Sequence, residues 1–334
     1  MIAGLRVGQA TDPVLKSGVT VFLPDQPAIA AVHVSGGAPA SRETELLRPG
    51  NLVERVDAIV LAGGSAFGLA AADGVMAWLS ERGRGYRIGD IRVPIVPAAA
   101  LFDLANGGDK GRPTGLASVY AALGRVACDA AADAAAVGTV GAGTGATTAD
   151  LKGGFGTAET RLEDGALVCA YVAVNAVGRV TLGSTPHFRA APFEQGCEFG
   201  GLGLPSPLPA DASQPVIKRR AAPGESTTLA VVAIDRALTR SEAQRIAVAG
   251  HDGLAMAIFP AHTLLDGDTI FVLSTGTAPA SGRPDDLVAL ASAAAATLAR
   301  AIARAVYAAE PAAGDRVPTW RERYGEILAH APGH

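Results

Sequence analysis

Short apolar runs bounded by Gly, Pro or Asp alternate with stretches of helical periodicity along most of the chain. Val19–Leu23, Ala28–Val34, Ala58–Leu61 and Val93–Val96 have the length and flanks of buried strands. Phe67–Ser80 follows a Gly-Gly turn with its apolar residues on one face. Gly115–Ala136 sets Leu116, Val119, Tyr120, Leu123 and Val126 at helical spacing. Leu167–Val174 and Val180–Leu182 flank Asn175-Ala176-Val177-Gly178 and predict a hairpin, hence some antiparallel sheet. The last third restarts with an apolar strand, Thr228–Ile234. A helix follows, opened by the capping-box pattern Thr239-Arg240-Ser241-Glu242 and running to about Ile258. A strand over Thr269–Ser274 and an Ala-rich helix from about Asp285 complete a strand-helix-strand-helix unit, so the class is mixed α/β.

One stretch resists regular structure. From Gly183 to Glu225 the chain carries Pro186, Pro192, Pro205, Pro207, Pro209, Pro215 and Pro223, which predicts a long loop. Such loops inside compact domains are usually functional or disordered. The Ala-rich Leu287–Ala308 is apolar enough to suggest a membrane span, but Arg300 and Arg304 interrupt it at helical spacing, so an amphipathic helix is expected instead. No secretory signal is evident at Met1–Ala10, and a cytoplasmic location is expected.

With 334 residues, 49% of them hydrophobic, the chain can bury a large core. A net charge of -4 with scattered Lys and Arg argues against a nucleic-acid or membrane-surface partner and for a small-molecule substrate. Cys128, Cys169 and Cys197 lie far apart without Cys-x-x-Cys spacing, which supports neither disulfides nor a zinc site. His33, His187, His251 and His262 are likewise too dispersed to suggest a metal cluster, and His262 reads as a packing or turn residue. Gly63-Gly64-Ser65-Ala66-Phe67 falls one residue short of a nucleophile elbow, and the glycine-rich 138–156 lacks a phosphate-loop ending.

The informative segment is Gly224-Glu225-Ser226-Thr227-Thr228-Leu229-Ala230. A hydroxyl residue where a loop enters a buried strand can attack the carbonyl before it, giving an ester that water cleaves into two chains. The new α-amine, with a pKa of roughly 8, can then act as base for its own hydroxyl. A threonine pair at an ordinary strand start fits the same pattern.

Several ordered blocks decide between these readings. Ser35-Gly36-Gly37-Ala38-Pro39 with Arg42-Glu43-Thr44, Leu61-Ala62-Gly63-Gly64, Val174-Asn175-Ala176-Val177-Gly178, Thr227-Thr228-Leu229, His251-Asp252-Gly253-Leu254-Ala255, and His262 with Asp266-Gly267-Asp268-Thr269 together resemble the DmpA-type peptidase family. That family includes aminopeptidase/D-esterases, β-aminopeptidases and the endo-type nylon-oligomer (6-aminohexanoate) hydrolase. The resemblance spans nearly the whole chain and implies an αββα sandwich, two sheets between helix layers. It implies one composite domain cut into an α subunit, 1–226, and a β subunit, 227–334, headed by Thr227. A threonine there, with Asp266 and Asp268, resembles the nylon-hydrolase branch most.

By the same resemblance, Asp266 and Asp268 orient the nucleophile or accept its proton, Asn175 donates to the oxyanion, and Lys152 steadies negative charge or lowers the pKa of the terminal amine. Two residues depart from the pattern: Ser226 stands where the nylon-hydrolase branch has Asn, and Phe102 stands where relatives carry an active-site tyrosine. The expected function is hydrolysis of linear amides without an external cofactor or metal. An exo-acting aminopeptidase/D-esterase, an acyl transferase like the ornithine acetyltransferases, and an unprocessed dormant homologue are the alternatives. Relatives imply a homotetramer of processed units. The tail Glu310–His334, with Trp320 and Tyr324, is expected to dock across a subunit.

Overall fold

The structure is a computed structural model that describes residues 2–111, 115–218, 226–280 and 283–329. Its strands are β1 (Leu5–Asp12), β2 (Ser17–Pro24), β3 (Ala28–Val34), β4 (Ala40–Arg42), β5 (Arg55–Val56), β6 (Ile59–Ala62), β7 (Tyr86–Ile88), β8 (Ile91–Val93), β9 (Ala98–Ala100), β10 (Gly154–Arg161), β11 (Leu167–Asn175), β12 (Thr227–Arg236) and β13 (Thr269–Ala278). The helices are α1 (Ala71–Ser80), α2 (Leu116–Asp129), α3 (Arg240–Ala257), α4 (Pro284–Tyr307) and α5 (Trp320–Ala329).

Two sheets face each other. One has the order β1-β2-β6-β9-β4 and the other β10-β11-β12-β13-β3-β5, while β7 and β8 form a separate hairpin. Strand alternation builds the layers. Along β11, Val168, Ala170, Val172 and Val174 point to the helices, whereas Leu167, Cys169, Tyr171 and Ala173 point to the opposite sheet. Along β12, Ala230, Val232 and Ile234 face the helices and Leu229, Val231 and Ala233 face the sheet. α3 and α4 cover the six-stranded sheet, and α1 and α2 cover the five-stranded one. The result is the αββα sandwich expected above. Each Val or Leu buried this way contributes roughly 1.5–3 kcal/mol, so β11 and β12, buried on both faces, form the rigid centre that carries the site.

The Ala-rich helix α4 lies very close to β10. A Cβ on Gly156 would fall 2.0 Å from the Ala301 carbonyl oxygen, and one on Gly154 would fall 2.4 Å from that of Ala305, so small residues are needed on both partners. By length and composition α4 could cross a membrane. Here it packs on α3, β10 and β11, and its Arg300 is buried in an ion pair with Glu198, Nε to Oε1 2.5 Å.

Three expectations need correction. Val180–Leu182 does not pair with β11, because β10 and β12 already occupy its two edges; Thr181 bridges Phe188 instead. β10 escaped the sequence reading because its glycines hide its strand character. Val93–Val96 is not a continuous strand: β8 ends at Val93, and Pro94 and Pro97 interrupt the pairing before β9. Trp320 and Tyr324, expected to dock on another subunit, are buried in their own chain, where Trp320 stacks on Phe188 with ring centroids 5.6 Å apart and donates to the Pro186 carbonyl.

Candidate active site

The antiparallel register of β11 and β12 sets Asn175 directly opposite Thr227. Thr227 opens β12 and is buried, and Asn175 closes β11 with no exposed surface. The Thr227 hydroxyl donates to the carbonyl oxygen of Ser226 at 2.5 Å. A second donor, the Gly267 backbone N–H, reaches the same oxygen at 2.9 Å. Two donors therefore polarise the carbonyl on which the hydroxyl sits. Gly267 has to be glycine, because a Cβ there would lie 2.6 Å from Thr227 Oγ1.

The Asp266-Gly267-Asp268 turn before β13 grips the backbone around Thr227. Ser226 pairs with Asp266 as a parallel bridge, and the Thr228 N–H donates to Asp268 Oδ1 at 2.8 Å. The other carboxylate oxygens are taken: Asp266 accepts from the Val177 N–H and from the Thr263 N–H and hydroxyl, and Asp268 Oδ2 accepts from the His262 N–H and ring. The glycine-rich loop after β3 braces this turn, with the Ser35 N–H donating to Asp268 O at 3.0 Å and the Ala38 N–H to Asp266 O at 2.8 Å. Thus the Ser35–Pro39 and Asp266–Asp268 blocks, far apart in sequence, form one support.

Burial of Asp266, and then the negative charge of Asp268, hold the Asp266 carboxyl above its ordinary value. His262 is the residue that sequence reasoning undervalued. Its Nδ1 lies 2.8 Å from Asp268 Oδ2 and its Nε2 lies 3.2 Å from the His251 carbonyl oxygen, so both ring nitrogens face acceptors. Only the imidazolium satisfies both. Burial works against that charge, but the hydrogen bond to Asp268 and its negative charge outweigh it and raise the His262 pKa. His251, stacked edge-on against His262, is pushed down to about 4 by burial. The six-residue spacing of His262 and Asp268 was visible, yet nothing in it revealed the turn that joins them.

Asn175 is locked by its neighbours. The Thr147 N–H donates to its Oδ1 at 3.0 Å and the Lys218 ammonium at 2.9 Å, while its Nδ2 donates to the Phe102 carbonyl at 2.9 Å. Phe102 and Asn175 also line a cavity of about 770 Å³. Lys152 is placed differently from the other candidates: its ammonium is buried against Asp315 Oδ2 at 2.7 Å, and Lys16 holds the other oxygen of the same carboxylate at 2.7 Å. Its link to Asn175 runs through the backbone, since Lys152 bridges Thr147. The structure therefore brings Ser226, Thr227, Asn175, Asp266 and Asp268 together and sets Lys152 in an adjoining charge cluster.

Comparison with known proteins bears on the family and the fold. The family model of peptidase family S58 matches residues 2–319. An uncharacterized aminopeptidase of Mycobacterium tuberculosis is 44% identical, over 97% of this chain and 96% of its own. A 6-aminohexanoate-oligomer endohydrolase of Kocuria sp. is 29% identical, over 84% of this chain and 77% of its own. Among solved structures, a Burkholderia sp. β-aminopeptidase superposes with a TM-score of 0.71 at 24% identity, covering 100% of this chain and 93% of that one. The L-aminopeptidase D-Ala-esterase/amidase of Ochrobactrum anthropi, an Ntn-hydrolase variant, gives 0.70 at 21% identity, covering 98% and 92%. The chain belongs to peptidase family S58 and is a hydrolase of amide bonds.

Proposed function

We propose that the chain is activated by cutting itself between Ser226 and Thr227, and that the freed Thr227 then hydrolyses linear amides. The observation that carries this reading is the Thr227 hydroxyl seated 2.5 Å from the Ser226 carbonyl oxygen, which the Gly267 N–H also holds. Attack of Oγ1 on that carbonyl carbon places developing negative charge on an oxygen that already has a backbone donor. Collapse breaks the C–N bond, the nitrogen takes up the hydroxyl proton, and an ester joins Ser226 to Oγ1. Water hydrolyses the ester, leaving a carboxylate on Ser226 and a free amine on Thr227. Ser226 takes part only through its backbone carbonyl, so its departure from the asparagine of the nylon-hydrolase branch is compatible with the chemistry.

In turnover the amine accepts the Oγ1 proton as the oxygen attacks a substrate carbonyl, and it returns that proton to the leaving nitrogen. Asn175, opposite Thr227 and fixed by Thr147, Lys218 and Phe102, supplies amide N–H to the oxyanion. Asp266 and Asp268 act through the backbone, holding the residues either side of Thr227. Water then releases the acyl group. Short oligomers of amino acids or of 6-aminohexanoate fit this reading. The 44% identity to a protein named an aminopeptidase favours a second version, in which the substrate is a peptide with a free amino end.

Replacing Thr227 by Ala removes nucleophile and base together. Denaturing electrophoresis of this variant should give one full-length band where the wild type gives two, and turnover should drop at least about 10⁴-fold. A Thr227→Ala protein that still hydrolyses amides would sink the proposal.

A further inference from the structure

The cavity beside Asn175 has an electrostatic character that the self-cleavage chemistry does not use. Four cationic side chains line it, Arg179, Lys218, Arg316 and Arg323, against two carboxylates, Asp103 and Asp150. Neither carboxylate is open to a ligand. Asp103 is buried, accepting from the Ser17 hydroxyl at 2.6 Å and the Gly64 N–H at 2.8 Å. Asp150 Oδ2 is shared by Arg179 at 2.9 Å and Arg323 at 2.8 Å, and its Oδ1 is buried. Among the described residues, a substrate ammonium would therefore meet no accessible carboxylate on these walls.

The opposite holds for an anion. Arg316 is exposed, lines the cavity and forms no ion pair among the described residues. It is also presented on a fixed support. The preceding residue, Asp315, is clamped by Lys16 and Lys152 at 2.7 Å each, and Pro318 accepts the Lys152 N–H at 2.8 Å. A guanidinium on an anchored segment, lining a half-open cleft of about 770 Å³, suits bidentate capture of a carboxylate.

We infer that this cavity binds the carboxylate-bearing end of the substrate, with Arg316 as its principal contact, so that the enzyme prefers linear amides with a free acid terminus over those recognised by a free amino terminus. The inference rests on the amide-hydrolase reading and narrows its substrate class. Selection then acts through the acid end, which leaves the amino end free to vary in length.

Calorimetric titration of the purified full-length protein with 6-acetamidohexanoate and with its carboxamide, 6-acetamidohexanamide, tests this without relying on turnover. The acid should bind at least about tenfold more tightly than the amide. That ratio should collapse toward one in Arg316→Ala and be partly kept in Arg316→Lys. Arg316 is exposed, so neither variant threatens folding. Equal affinities, no measurable binding of the acid, or a preference that survives in Arg316→Ala would each overturn the inference. Failure of the amide-hydrolase reading shows separately, as the absence of a chain beginning at Thr227.

Discussion

Two buried charge clusters flank Asn175, and they are built with opposite signs. On the β12 side lie two carboxylates, Asp268 bonded to the His262 imidazole and Asp266 bonded to the Thr263 hydroxyl. On the other side, two ammoniums, Lys16 and Lys152, share one carboxylate, Asp315. The first cluster has more carboxylates than cations, and burial together with the charge of Asp268 pushes its Asp266 toward protonation. The second binds its only acid with two short ion pairs, which hold the Asp315 carboxyl below its usual value although burial alone would raise it. One cluster holds the backbone on either side of Thr227 and the other fixes the chain segment that lines the cavity. Similar burial thus supports different tasks, decided by which sign is in excess.

The largest effect should come from breaking the first cluster. Asp268→Asn keeps an acceptor for the Thr228 N–H but puts an amide N–H against the His262 donors. Chain cleavage and turnover should each slow by roughly 10³-fold, followed by the appearance of the β12-headed fragment and by amide hydrolysis. Full activity in this variant would show that the carboxylates are scaffold alone. Next in size is Asp315→Ala, which leaves two ammoniums without their counter-charge, on side chains only 10% and 3% exposed. A loss of about 3 kcal/mol is expected in denaturant unfolding, and adding Lys152→Met should recover part of it. An unchanged midpoint would mean that solvent reaches Lys152 and that the second cluster does not fix the segment.

These clusters also mark how far the sequence could be read. Thr227, Asn175, Asp266 and Asp268 were legible because they lie in ordered blocks, Ser226 only by its place before Thr227, and the strand-helix-strand unit around them followed from periodicity. Those blocks also carried the αββα layering, which alternation alone does not specify. What stayed hidden depends on contacts between distant residues. Asp315 is 163 positions from Lys152, in a tail whose polar composition gives no sign of a buried ion pair. His262 looked like a turn residue because its role comes from the His251 carbonyl and the Asp268 carboxylate closing on opposite ring nitrogens. The β11 hairpin was misplaced because local alternation does not say which edge a strand already shares.

The smallest effect gives the sharpest contrast, because the two clusters should respond to acid in opposite directions. Asp266 has its folded pKa raised above 3.8, so its contribution to stability is fully present below 3.8 and is lost as pH rises through the folded value. Asp315 has its folded pKa lowered below 3.8, so its contribution is present above 3.8 and is lost as pH falls through the folded value. Only the wild type titrates at the mutated site; Asp266→Asn also removes part of what raises the His262 pKa, a change that acts in the same direction as the loss of Asp266 itself. The melting temperature of Asp266→Asn relative to wild type should fall as pH drops from neutrality toward 3.8. That of Asp315→Asn relative to wild type should rise as pH drops below 3.8. Each change should amount to about 1 kcal/mol or less, given the solvent around Asp315. Thermal scans across this range decide the matter: slopes of the same sign would mean that the two clusters are not the electrostatic opposites their geometry implies.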